Sequence, residues 1–249
     1  MTFSYDTGVL SLGRILGVPV DVHGSFFLLA IGMSYGYWRH GHLVLAAIFI
    51  AVVFLSILMH ELAHAIVARR YRAVANRIDI YFLGGLVEFW GMRRTVAQDC
   101  AISLAGPLSN LALGLAAFGL LVLVPVDVPA PHNIGGLIIP AYAKPSMLES
   151  ALRATAYLNI ALCVVNLLPA FPLDGGRVVY LLAEQRWGRT FAALLVSSTG
   201  LFFATMNLLF LFATLISGFP VWAPITFSEN WRAFQAARRG QGGWHTYAT

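Results

Sequence analysis

From Leu43 to Met59 the chain carries no charged residue, and the run ends in His60-Glu61-Leu62-Ala63-His64. As a helix continued to Ala68, this stretch is long enough to cross the ~30 Å hydrocarbon layer of a bilayer. Residues i and i+4 of a helix lie one turn apart on one face, so His60 and His64 can offer two neutral imidazoles to a single Zn2+. Glu61 stands beside them as a base for water, the pattern of zinc-dependent hydrolases. Ionisable groups at membrane depth are expensive and usually functional. The expectation is a hydrolytic metal held within or at the edge of a bilayer.

Composition agrees. Hydrophobic residues make up 59% of the 249 and charged residues 11%, against about 45–50% and about 25% in soluble globular chains. A polytopic membrane protein is implied and a soluble domain excluded. The net charge of +5 comes almost wholly from arginine, Lys144 being the only lysine. Most arginines flank apolar runs, which reads as cytoplasmic anchoring rather than a nucleic-acid surface. Cys100 and Cys163 fall in or beside apolar segments, so neither a disulfide framework nor a cysteine zinc site is expected. Met1 to Val22 lacks the pattern of a removable signal peptide.

The expected fold class is an all-α polytopic membrane protein of about six transmembrane helices, five clear and one weak, with a short membrane-associated β-hairpin. Residues 1–249 read as a single domain. The first span is Gly24 to about Tyr37. The second, His42 to Ala68, is closed by Arg69, Arg70 and Arg72, which put its end and the metal on the cytoplasmic side. Over 77–94, Ile78, Ile80 and Phe82, then Val87 and Phe89, alternate about Gly84-Gly85 as two strands joined at a Gly-Gly turn. The third span, Asp99 to Val124, holds Ala105-Gly106-Pro107-Leu108-Ser109-Asn110, read as close packing and a kink. Pro125 to Glu149 reads as a loop on the far face. The fourth span starts near Leu152 and is broken by Pro169 and Pro172 before Asp174. Phe191 to Ile216 is a fifth. A weak sixth segment near Phe219 to Phe234, inside a 219–249 tail, would return the chain to the cytoplasmic side.

A catalytic zinc site commonly takes a third protein ligand and keeps one position for water. Asp174, a lone carboxylate in an apolar, proline-broken segment, is the candidate. The alternative is a helix-end carboxylate paired with Arg177. Asn166 is a candidate for substrate contact, although interhelical hydrogen bonding explains it and Asn159 equally well. Gly84 and Gly85 are either a tight turn or a substrate contact. His23, His40 and His42, at the ends of apolar spans, read as surface residues, and Glu88 as a solvated carboxylate.

Together these residues resemble the site-2 protease family of intramembrane zinc metalloproteases. The resemblance covers roughly Val18 to Arg189. It rests on His60-Glu61-Leu62-Ala63-His64, Gly84-Gly85, Ala105 to Asn110, and above all Asn166-Leu167-Leu168-Pro169-Ala170-Phe171-Pro172-Leu173-Asp174-Gly175-Gly176. It implies one Zn2+ per chain on His60, His64 and Asp174, with Glu61 as general base. It also implies Asn166 as support for substrate or tetrahedral intermediate, and a Gly84-Gly85 hairpin that pairs with an unwound substrate strand. The implied reaction is hydrolysis in or near the transmembrane segment of a single-pass protein, in a multi-pass protein of a prokaryotic plasma membrane with its active site toward the cytoplasm. The sequence departs from part of the family in showing no PDZ insertion or CBS domains. Two other readings stay open: a membrane-bound zinc protease with a solvent-facing chamber, and a non-proteolytic metal-binding membrane protein.

Overall fold

The computed structural model describes residues 2–4, 8–82, 84–90, 95–124, 132–134, 137–139, 145–216 and 227–240. Strands β1 (Thr2–Ser4), β2 (Val9–Ile15) and β3 (Val18–His23) open the chain. In β3, Val18, Val20 and Val22 are buried while Pro19, Asp21 and His23 are partly exposed, the alternation of a strand with one face on a core. Helices α1 (Gly24–Met33), α2 (Tyr35–Arg39) and α3 (Leu43–Arg70) come next, then β4 (Val74–Tyr81) and β5 (Gly84–Trp90). The strands form one five-stranded sheet in the order β1-β2-β3-β4-β5. Neighbours are antiparallel except β3 and β4, which are parallel and joined through α1 to α3. Parallel pairs require such a crossover.

The fold is therefore mostly helical with a small sheet, not all-α with an isolated hairpin. The expected 77–94 hairpin is the β4–β5 half of that sheet, and the N-terminal strands were not anticipated. Gly84-Gly85 is also not the turn. It opens β5, with Tyr81 opposite Gly84 and Ile80 opposite Gly85.

The buried face of the sheet packs on α3. Val18, Val20, Val22, Ile78 and Ile80 share a core with Phe26 and Ala30 of α1 and with Val53, Ile57, Leu58, Leu62 and Ala65 of α3. Register explains the shortness of the first apolar helix. Val22 lies opposite Ile80, Ile80 opposite Gly85, and Gly85 against Glu61 of α3, so β3 ends level with Glu61. From there α1 and α2 in series rise about 24 Å, close to the about 27 Å that α3 spans between Glu61 and Leu43. The expected first span is thus divided at Ser34, and α1, with 10 residues, is too short to cross a bilayer alone.

Beyond the sheet come α4 (Val96–Leu121), the short pair β6 (His132–Ile134) and β7 (Leu137–Ile139), α5 (Met147–Asn166), α6 (Asp174–Trp187), α7 (Arg189–Ile216) and α8 (Phe227–Arg238). Thr95 and Gln98 form a reciprocal capping box at the start of α4, and Ser146 caps α5 through the Glu149 N–H. Pro107 lies within α4 without ending it. Among the described residues, four helices are long and apolar enough to cross a membrane: α3, α4, α5 and α7 over Arg189–Phe210. The chain is a multi-pass membrane protein. The break expected in the fourth span is present: α5 stops at Asn166, and both Pro169 and Pro172 fall between it and α6. The weak sixth segment divides in two: its first part, up to residue 226, lies outside the described residues, and its second belongs to the amphipathic α8. Arg93-Arg94, the Glu88 side chain and most of the Pro125 to Glu149 loop also lie outside them.

Two contacts bind the central helices. Asn159 of α5, fully buried, donates from Nδ2 to Ser56 Oγ of α3 at 2.9 Å. Gly114 of α4 is so close to α5 that a Cβ would stand 2.9 Å from Ile160 Cγ1 and 3.2 Å from the Ala156 carbonyl oxygen. Gly114→Leu should therefore overpack this seam and destabilise by about 1–3 kcal/mol. Gly119→Leu, on an open face of the same helix, should be nearly neutral. Thermal unfolding midpoints of the two variants in detergent check this.

Candidate metal centre

His60 and His64 stand one turn apart on α3, and Asp174 is the first residue of α6. Their ligating atoms converge. The two Nε2 atoms are 3.1 Å apart, and Asp174 Oδ2 lies 3.1 Å from His60 Nε2 and 3.3 Å from His64 Nε2. Zinc–nitrogen and zinc–oxygen bonds are about 2.0–2.2 Å, so donors on a tetrahedral ion stand roughly 3.3–3.5 Å apart. The observed triangle is close to one face of such a tetrahedron. His60 is 7% exposed and His64 5%, so little water reaches the two imidazoles.

Proton counting leads to the same end. His64 Nδ1–H donates to the Ile102 carbonyl at 2.6 Å. That bond fixes the tautomer and leaves a lone pair on Nε2 facing inward. With His64 neutral, this atom meets a carboxylate oxygen and a second imidazole nitrogen, three acceptors with at most the one proton of His60 Nε2 among them. A buried set of converging lone pairs is satisfied by a cation. Arg177 does not supply it, because its guanidinium reaches Asp99 of α4 at 3.5 Å. Among the described residues, His60, His64 and Asp174 are the one group of three or more such ligands close enough to hold a metal ion. The donor chemistry and spacing fit Zn2+.

Glycines make the closeness possible. A Cβ on Gly106 of α4 would lie 2.3 Å from His64 Nε2 and 2.6 Å from His60 Nε2. The Ala-Gly-Pro stretch, read from sequence as helix packing, packs on the imidazoles themselves. A Cβ on Gly85 would lie 2.3 Å from Glu61 Oε1 and 2.6 Å from its Cδ. The Glu61 carboxylate, 5% exposed, therefore rests against the backbone of β5, the edge strand of the sheet. Gly84 has φ +123°, a conformation closed to other residues without strain.

Asn166 ends α5, where Nδ2 donates to Leu162 C=O at 3.0 Å, and it is not hydrogen-bonded to the three donors. His23 pairs with Asp79 at 3.2 Å on the outer face of the sheet, and His40 and His42 are exposed. Sequence reasoning missed the Ile102 carbonyl, for which side-chain identity carries no signal.

The profile of Peptidase family M50 matches residues 48–207. A zinc metalloprotease of Methanocaldococcus jannaschii is 28% identical over 204 residues, 81% of this chain and 53% of that protein. Rip3 of Mycobacterium tuberculosis, named as a candidate zinc metalloprotease, is 31% identical over 190 residues, 72% of this chain and 44% of that one. The chain thus spans about half the length of these curated relatives. Among solved structures, a site-2 protease from Methanocaldococcus jannaschii superposes with a TM-score of 0.60 at 22% identity, covering 93% of this chain and 94% of the other, which establishes a common fold. With a family profile matched from within α3 to within α7 and a relative above 30% identity over most of this chain, the protein belongs to Peptidase family M50, the site-2 proteases.

Proposed function

We propose that this chain is an intramembrane zinc endopeptidase that cleaves a peptide bond in or near the transmembrane segment of a single-pass membrane protein. The observation that carries the reading is the meeting of His60 Nε2, His64 Nε2 and Asp174 Oδ2 within 3.3 Å of one another, with Glu61 pressed on the edge strand beside them. His60, His64 and Asp174 hold the ion. Bound there, Zn2+ would supply Lewis acidity, lowering the pKa of water to about 7 and polarising a carbonyl.

Glu61 is the general base: its carboxylate takes the proton of the attacking water and delivers it to the departing amide nitrogen. β5 is the substrate platform. Its outer edge has no strand partner among the described residues, and an unpaired edge at membrane depth is costly. A substrate segment unwound from its helix has the complementary need, and adding it as a sixth strand satisfies both. Gly84 and Gly85 open this edge, Gly85 against Glu61 and Gly84 with nothing within 4 Å of a Cβ position, so a paired substrate passes the base with no side chain intervening. Asn166 uses one Nδ2 hydrogen on Leu162 C=O and keeps the second for a substrate carbonyl or the oxyanion formed from it.

Orientation is set by charge. Arg69, Arg70 and Arg72 close α3, and His64 lies about 9 Å from Arg70 along the helix axis. By the positive-inside bias the active site opens toward the cytoplasmic face of a prokaryotic plasma membrane.

Glu61→Gln in proteoliposomes with a transmembrane reporter should reduce cleavage by about 10²–10⁴-fold while bound zinc, measured by elemental analysis, is unchanged. Persisting cleavage would remove the base assignment. The two glycines should separate in the same assays. Gly85→Ala displaces the Glu61 carboxylate, so cleavage should fall at least about tenfold with zinc retained. Gly106→Ala intrudes on both imidazoles, so zinc itself should be lost.

A further inference from the structure

Asp174 reaches the imidazoles at the end of an irregular turn, Leu167 to Leu173, between α5 and α6. A carboxylate delivered by a turn is only as well placed as the turn is held. Two glycines hold it from α6: a Cβ on Gly175 would stand 2.1 Å from the Leu167 carbonyl oxygen, and one on Gly176 2.2 Å from that of Ala170. From α7, Thr199 Oγ1 donates to the Pro169 carbonyl.

The remaining hold comes from α8. Asn230 Oδ1 accepts the Phe171 N–H at 3.1 Å, and Asn230 Nδ2 donates to the Phe171 carbonyl at 2.9 Å. One carboxamide thus matches both backbone groups of one residue, as a neighbouring strand would. Asn230 and Phe171 are both 0% exposed. The Phe171 ring packs on Tyr180 of α6, in one core with Ala192, Ala193 and Val196 of α7 and Ala233 and Ala237 of α8. Gly200 of α7 makes the room: a Cβ there would stand 1.7 Å from Asn230 Oδ1.

A polar residue in this place is not a packing choice. An aliphatic side chain would fill the core and leave the buried Phe171 peptide without these two partners, and Pro172 next to it has no N–H with which to close the turn. We propose that Asn230 is a positioning residue for the third metal ligand: by gripping the Phe171 backbone, three residues before Asp174, it ties the site of the carboxylate to the docking of α8. This rests on the assignment of His60, His64 and Asp174 as zinc ligands. It adds a residue outside the 48–207 match to the family profile.

The test uses the full chain in detergent, with zinc affinity measured by competition against a chromophoric chelator and coordination read from the visible spectrum of the Co2+-substituted protein. Asn230→Ala should weaken zinc about 10–100-fold, the usual effect of losing an outer-shell partner, and shift the cobalt bands. Gly200→Ala, which puts a methyl where the carboxamide sits, should do the same, and the double variant should lose little more than either alone. Trp231→Ala, on the exposed side of α8, should match the parent. Asn230→Asp, equal in size, keeps the acceptor for the N–H but opposes the carbonyl with a second acceptor, and provides the same readouts if the alanine variant does not fold. Folded Asn230 and Gly200 variants with parental affinity and spectrum would overturn the proposal. His60→Ala and Asp174→Ala serve as references: if they lose zinc while Asn230 variants do not, the positioning role alone falls, and if the parent binds no zinc, the ligand assignment falls with it.

Discussion

A carboxylate facing two imidazoles in apolar surroundings is the interaction around which this protein is arranged. None of the three groups is stable there alone: an unpaired charge at membrane depth costs several kcal/mol, and a half-satisfied polar cluster is worse than an apolar one. The backbone therefore comes very close. Gly106 lets α4 touch both rings, Gly175 and Gly176 let α6 begin against the turn that precedes it, and Gly85 lets β5 touch Glu61. The Ile102 carbonyl orients one ring, and Asp99 takes Arg177 away from the site. Without a bound cation these contacts would press lone pairs together, and with one they form a coordination shell.

The sheet contributes in a different way. By carrying the chain from the Arg70 end of α3 back to the level of Glu61, β3 to β5 place backbone beside Glu61 about 13 Å below the basic end of that helix. Backbone at that level must be paired or must line a cavity. The inner strands are paired on both sides, whereas the outer edge of β5, like that of β1 at the other end of the sheet, has no strand partner among the described residues. That unmet need at the edge is the chemical basis on which the proposed pairing with an extended peptide rests.

The long apolar helices α3, α4, α5 and α7 were legible because length and hydrophobicity alone define them. His60, His64 and Asp174 stand out in the sequence because each is an ionisable group in a segment with few others, and the structure brings their ligating atoms together. The β4–β5 pair showed through Ile78, Ile80, Val87 and Phe89, but its turn was misplaced: Gly84-Gly85 looks like turn chemistry, and its actual demand is lack of bulk against Glu61. β3 was missed although Val18, Val20 and Val22 alternate cleanly, because six residues ahead of an apolar run are overshadowed by it. Gly106 was read as packing without its partner being known. Asn230 was invisible for a stronger reason: its partner is the backbone of Phe171, and peptide groups look alike at every position of a sequence.

The parallel pairing of β3 with β4 sets an order of assembly. β3 is synthesised before α1, α2 and α3, and its partner emerges only after Arg70. During biosynthesis the N-terminal strands wait without β4 while three helices are placed in the bilayer, and the sheet closes late, through contacts far apart in sequence of the kind that slow folding. Glu61 cannot be seated against Gly85 until that closure is complete. A nascent chain with α3 already inserted therefore carries both histidines and Glu61 before the β5 backbone stands against that carboxylate, and the proposed site is complete only when α6 later brings Asp174.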